Sequence, residues 1–76
     1  MSSNSSEEQF LDKVAKRIAS LRKAKSMTQE RLAADADIDR VVLANIETGL
    51  RRPTTRTIYK IARGLNVKPD EIFKNL

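Results

Sequence analysis

Apolar residues along the chain recur at three- and four-residue steps, and no stretch alternates at the two-residue step of a half-buried strand. Leu11, Val14, Ile18 and Leu21 line one face of a helix predicted from about Glu7 to Lys25. Ser6 followed by Gln9 fits a capping box at its start. Glu7 and Glu8 place negative charge at the positive end of the helix dipole, and Lys23 and Lys25 sit at the other end. Thr28 offers a hydroxyl to cap a second, short helix whose stripe is Leu32 and Ala33. Ala36-Asp37-Ile38 then breaks the period, and Asp39 supplies a fresh capping oxygen. Leu43 and Ile46 give a third helix its buried face, up to Gly49, which takes the left-handed conformation without a Cβ clash. Pro53 keeps Leu50-Arg51-Arg52-Pro53 out of helix. Thr54 caps a fourth helix with Ile58, Ile61, Ala62 and Leu65 at i, i+3, i+4, i+7, ended by Asn66. Pro69, Asp70 and Glu71 suit the first turn of a fifth, with Ile72, Phe73 and Leu76 on its apolar side. The pattern predicts a compact all-α domain of five helices over residues 7–76. A Ser/Asn-rich tail at residues 1–6 is expected to be disordered.

The centre of this plan is Thr28 to Gly49, two short helices joined by a tight turn. That arrangement is a helix-turn-helix, whose second helix fits a DNA major groove. Composition narrows the alternatives. The chain has 76 residues, enough for one small domain, and contains neither Cys nor His. Thiol nucleophiles, disulfides, the usual zinc ligands and the commonest general base are therefore missing, so an enzyme is not expected and neither is a metal or cofactor. No apolar run approaches the roughly 20 residues needed to span a bilayer. A soluble, cytoplasmic protein is expected.

Charge adds direction. The net charge is +5, but residues 1–39 balance at seven against seven and residues 69–76 sum to −1. Residues 40–68 carry seven basic side chains against Glu47 alone, a net of +6. An excess confined to the half that starts with the third helix suits a phosphate backbone better than an evenly solvated surface.

Taken together, Ile18…Leu21-Arg22, Thr28-Gln29-Glu30-Arg31-Leu32-Ala33, Ile46-Glu47-Thr48-Gly49 and Ile61-Ala62…Leu65 resemble the lambda-repressor-like, XRE-type helix-turn-helix family. The likeness spans residues 10–73, and its specificity lies in several spaced elements agreeing at once. Asp39-Arg40 is also similar to restriction–modification controller proteins, a subgroup of that family. The resemblance implies that Arg40, Val41, Ala44 and Asn45 face DNA bases. It further implies that Thr28, Gln29, Thr48, Arg51 and Arg52 meet phosphates, with Gln29 bonding through its side chain and N–H. Arg22 and Glu47 would form a partly buried ion pair, and helices 4 and 5, with Tyr59, Phe73 and Leu76, would form a two-fold dimer. Ser26 and Asp37 stand where the family usually has glycine, Thr55 where it has a large apolar residue, and Lys68 where it has a Ser/Thr-type cap.

Several of these residues have a plainer reading. Arg40 suits a guanine edge, yet it would also serve as a solvated helix-start arginine; a cation there opposes the helix dipole, which favours the first role. Val41 falls outside the buried stripe and should be exposed, so contact with a thymine methyl competes with ordinary surface variation. Asn45 reads equally as an adenine contact and as a surface amide. Arg56, Lys60 and Arg63 form a solvated face of helix 4. Val67 and Ile72 close the monomer's own core. The expected function is a sequence-specific DNA-binding transcriptional regulator on a near-palindromic operator, a homodimer with its recognition helix at residues 40–48. A basic helical protein-interaction module, or an antitoxin component, is the alternative.

Overall fold

The structure, a computed structural model, describes residues 5–76. Five helices follow in order: α1 Ser6–Ala24, α2 Gln29–Ala36, α3 Arg40–Glu47, α4 Thr55–Leu65 and α5 Pro69–Phe73, with no strand among the described residues. Four begin under a side-chain oxygen. Thr28, Asp39 and Thr54 accept from the N–H groups of Arg31, Val41 and Thr57 at 3.0, 2.7 and 3.1 Å. At α1 the capping box is one residue earlier than expected, formed by Ser5 and Glu8 rather than by Ser6 and Gln9. Both pairs fit the motif, and the carboxylate of Glu8 is the stronger acceptor for the cap's N–H. Ser5 and Ser6, assigned from the sequence to a tail, thus cap and open α1; residues 1–4 of that tail lie outside the described residues. Helix α5 has no side-chain cap at Lys68 and starts on Pro69 instead.

Three helices end by one device. Ser26, Asp37 and Asn66 adopt positive φ of 57°, 58° and 60°. The following residues, Met27, Ile38 and Val67, send their N–H groups back to Arg22, Ala33 and Ala62 carbonyls at 3.1, 3.0 and 3.0 Å. Met27, Ile38 and Val67 also pack against the core, the apolar contact that accompanies this closure. Asp and Asn tolerate the left-handed region through their short polar side chains, whereas Ser26 occupies it at greater cost. These reversals set the exit angles that bring α2 back over α4.

Ile18, Leu32, Leu43, Ile46, Ile61, Leu65 and Ile72 are fully buried, so every helix contributes to one core. The approach of α2 to α4 is close because the facing positions are small. A Cβ added at Gly64 would lie 3.0 Å from the Ala36 nitrogen and from Leu32 Cδ1. The sequence signal for that contact is a glycine within the amphipathic helix α4. Thr55, in place of a large apolar residue, is exposed at the start of α4.

Candidate nucleic-acid interface

The recognition unit is held by an ion pair at its far end. Arg22 Nε and Nη2 donate to the two Glu47 carboxylate oxygens at 2.8 and 3.0 Å. Arg22 Nη1 donates to the Met27 carbonyl at 2.8 Å, and Gln29 Nε2 to Glu47 Oε1 at 3.0 Å. The two side chains retain only 12% and 4% of their exposure. One guanidinium and one carboxylate thereby tie α1, the α1–α2 connection, the start of α2 and the end of α3. The hydrogen bond to Glu47 raises the Arg22 pKa above its ordinary value, against the opposing effect of burial.

The pair fixes which side of α3 faces outward. Leu43 and Ile46 are buried, while Arg40 and Val41 are exposed and Ala44 and Asn45 half-buried. Positions i, i+1, i+4 and i+5 share a helical face, so these four form one surface on the side away from the core. Val41 remains 55% exposed, without a packing partner to account for a β-branched residue in a helix. Arg40 lies 3.9 Å from Glu30, at the limit of an exposed ion pair. The helix ends at Glu47, with Thr48 as its C-cap, one residue short of the expected 40–48 span. Gly49 turns the chain at φ 83° into the exposed Arg51 and Arg52.

The residues expected to meet phosphates differ in how free they are. Thr28 accepts a bond with its lone pair, which leaves its O–H hydrogen unspent. Gln29 is the first residue of α2, so its N–H is one of the groups left without an intrahelical partner. Its side-chain amide is already committed to Glu47, a role that sequence reasoning missed. The Thr48 hydroxyl turns back to the Ala44 and Asn45 carbonyls at 3.1 and 3.2 Å. Arg52 pairs with Glu7 at 3.5 Å, whereas Arg51 makes no ion pair among the described residues.

On another side, Tyr59 and Phe73 border an apolar groove of about 410 Å³ between α1, α4 and α5. Phe10, not singled out from the sequence, stacks on Phe73 with ring centroids 6.2 Å apart and is half-exposed. Its place four residues before Val14 was the available signal. Leu76 lies elsewhere, beside Lys13, Lys16 and Arg17, and packs partly against the core. Arg17 also fastens α5 to α1 by donating to the Glu71 carbonyl at 2.9 Å.

A sequence family described as helix-turn-helix matches residues 18–72. The chain belongs to the helix-turn-helix family. Among its relatives is a protein of Sinorhizobium fredii, named as the uncharacterized HTH-type transcriptional regulator y4dJ. It is 36% identical over 59 residues, which cover 78% of this chain and 77% of that one. The crystal structure of the restriction–modification controller protein C.AhdI from Aeromonas hydrophila matches with a TM-score of 0.81 at 36% identity, covering 83% of this chain and 96% of that one. The controller protein C.Esp1396I bound to a 19 base pair DNA duplex matches with a TM-score of 0.80 at 35% identity, covering 86% and 87%. The narrower resemblance to controller proteins, carried by Asp39-Arg40, is thus met by helix-turn-helix relatives of that kind. Among the described residues, no helix is long and apolar enough to cross a membrane.

Proposed function

We propose that this chain is a sequence-specific transcriptional regulator that binds duplex DNA as a two-fold homodimer, with α3 in the major groove. The observation that carries the reading is the outward surface of α3. Arg40, Val41, Ala44 and Asn45 share an outward face next to Arg51, which has no ion-pair partner among the described residues, while Leu43 and Ile46 hold the opposite side to the core. Arg40 would take a guanine edge, Val41 a thymine methyl and Asn45 an adenine edge. Thr28, the Gln29 N–H, Thr48, Arg51 and Arg52 would fix register on the phosphates. The DNA complex of C.Esp1396I supports the docking of this fold on a duplex. Dimerisation would cover Phe10, Tyr59 and Phe73. Leu76, beside Lys13, Lys16 and Arg17, lies outside the groove that these three line and is left out of the proposed interface.

Salt dependence and a competitor test this reading. Each phosphate held by a cation contributes about 0.9 to the slope of log affinity against log salt. Arg51→Ala removes one such cation from each protomer, so it should flatten the slope of the dimer by about two units and weaken binding to all duplexes alike. A sequence-randomised competitor should displace the protein from a selected site only in large excess. An unchanged slope would remove Arg51 from the interface, and equal competition would remove sequence specificity.

A further inference from the structure

The cleft between the first turns of α1 and the α3–α4 loop joins two surfaces of opposite charge. Glu8 and Asp12 line it from one side, Arg51 and Arg52 from the other. The two sides meet at van der Waals distance: a Cβ on Gly49 would stand 3.5 Å from Asp12 Oδ1. Glu8 is committed to the capping box, where it accepts the Ser5 N–H at 3.3 Å. Glu7 is not, and its carboxylate lies 3.5 Å from Arg52 Nη1 across 45 residues of sequence. The first turn of a helix also favours an acidic side chain, because the N-terminal end of the helix dipole is positive.

From this geometry we infer that Glu7 is an internal competitor of DNA phosphate for Arg52, so that the first turn of α1 restrains binding to any duplex. This inference rests on the DNA-binding reading above. A phosphate oxygen and the Glu7 carboxylate offer the guanidinium the same kind of acceptor, and Arg52 must leave one to engage the other. Arg51, its neighbour in the same loop, has no ion-pair partner among the described residues and meets no such competition. The two arginines therefore differ in their contribution although their residue type and exposure are alike. The restraint falls equally on all sequences, because phosphates carry no base information. It lowers the background of non-specific binding and leaves the α3 contacts to choose the site.

The test is a cycle of four proteins: wild type, Glu7→Gln, Arg52→Ala and the double variant. Each is titrated onto a labelled duplex of random sequence at low salt. Glu7→Gln should bind about two- to fivefold more tightly per protomer, the range expected of one exposed ion pair in each half of the dimer. In the Arg52→Ala background the same change should have little effect. An unaltered affinity for Glu7→Gln overturns the inference and leaves the DNA-binding reading intact. An equal gain in both backgrounds overturns it too, since Glu7 would then act through general charge. Absence of duplex binding by the wild type overturns both.

Discussion

Glu47→Ala is expected to lower the stability of the fold by up to about 3–5 kcal/mol, the cost of leaving one partner of a fully buried ion pair alone, which this part-buried pair approaches. A domain of this length holds about 4–11 kcal/mol in total, so most of the protein would be near its unfolding limit. The loss is large because Glu47 serves three donors. Its removal strands two Arg22 nitrogens and the Gln29 amide at a place where water has little access. Glu47→Gln, which keeps the volume and one acceptor, should lose less. The double change Arg22→Met with Glu47→Leu should recover much of the deficit, because it removes both charges together. Urea unfolding at constant slope measures each value. The folded-state pKa of Arg22 is raised, so its contribution is complete below the ordinary arginine range and disappears only as pH climbs through the raised value. Near-wild-type stability in Glu47→Ala would show that the α1–α3 tie carries no load.

Arg40→Ala is expected to remove about 1–3 kcal/mol per half-site from binding to a preferred operator, and the two half-sites of a dimer double that loss. On random DNA, where only a charge is missed, the loss should be much smaller. The position argues for this difference. Arg40 opens α3, its charge opposes the helix dipole, and Val41 beside it is exposed. Its ionic neighbour among the described residues, Glu30, stands 3.9 Å away and holds it loosely. In a two-fold dimer the paired helices would lie about 34–36 Å apart and select half-sites one turn apart. Moving one half-site by five base pairs places it on the opposite side of the duplex and should abolish dimeric binding. Equal losses on both DNAs would reassign Arg40 to phosphate. Indifference to spacing would contradict the rigid dimer.

The helices and their boundaries were legible wherever the cause was local. Thr28, Asp39 and Thr54 as caps, Asn66 and Gly49 at positive φ, and the Leu43–Ile46 stripe all follow from residue type and neighbours within four positions. The Ser6–Gln9 box failed because two adjacent serines each had a partner three residues on. What crosses the chain was legible only through the family resemblance, as with Arg22 and Glu47, which are 25 residues apart. Without such a guide, the Gln29 amide on Glu47, Arg17 on the Glu71 carbonyl and Phe10 on Phe73 were missed. Each depends on how helices meet, which spacing along one helix does not encode. The Glu7–Arg52 pair is of the same kind, and charge counting by segment placed its members in separate halves of the molecule.

Selection of bound sites from a random pool of duplex DNA tests the central claim, that the outward face of α3 reads bases. With the wild-type protein at near-physiological salt, successive rounds should enrich one short motif, repeated with two-fold symmetry at half-sites centred about 10 base pairs apart. The same selection with Arg40→Ala should lose its preference at one base position in each half-site while retaining the spacing. A wild-type pool that stays as diverse as its starting material would contradict the account.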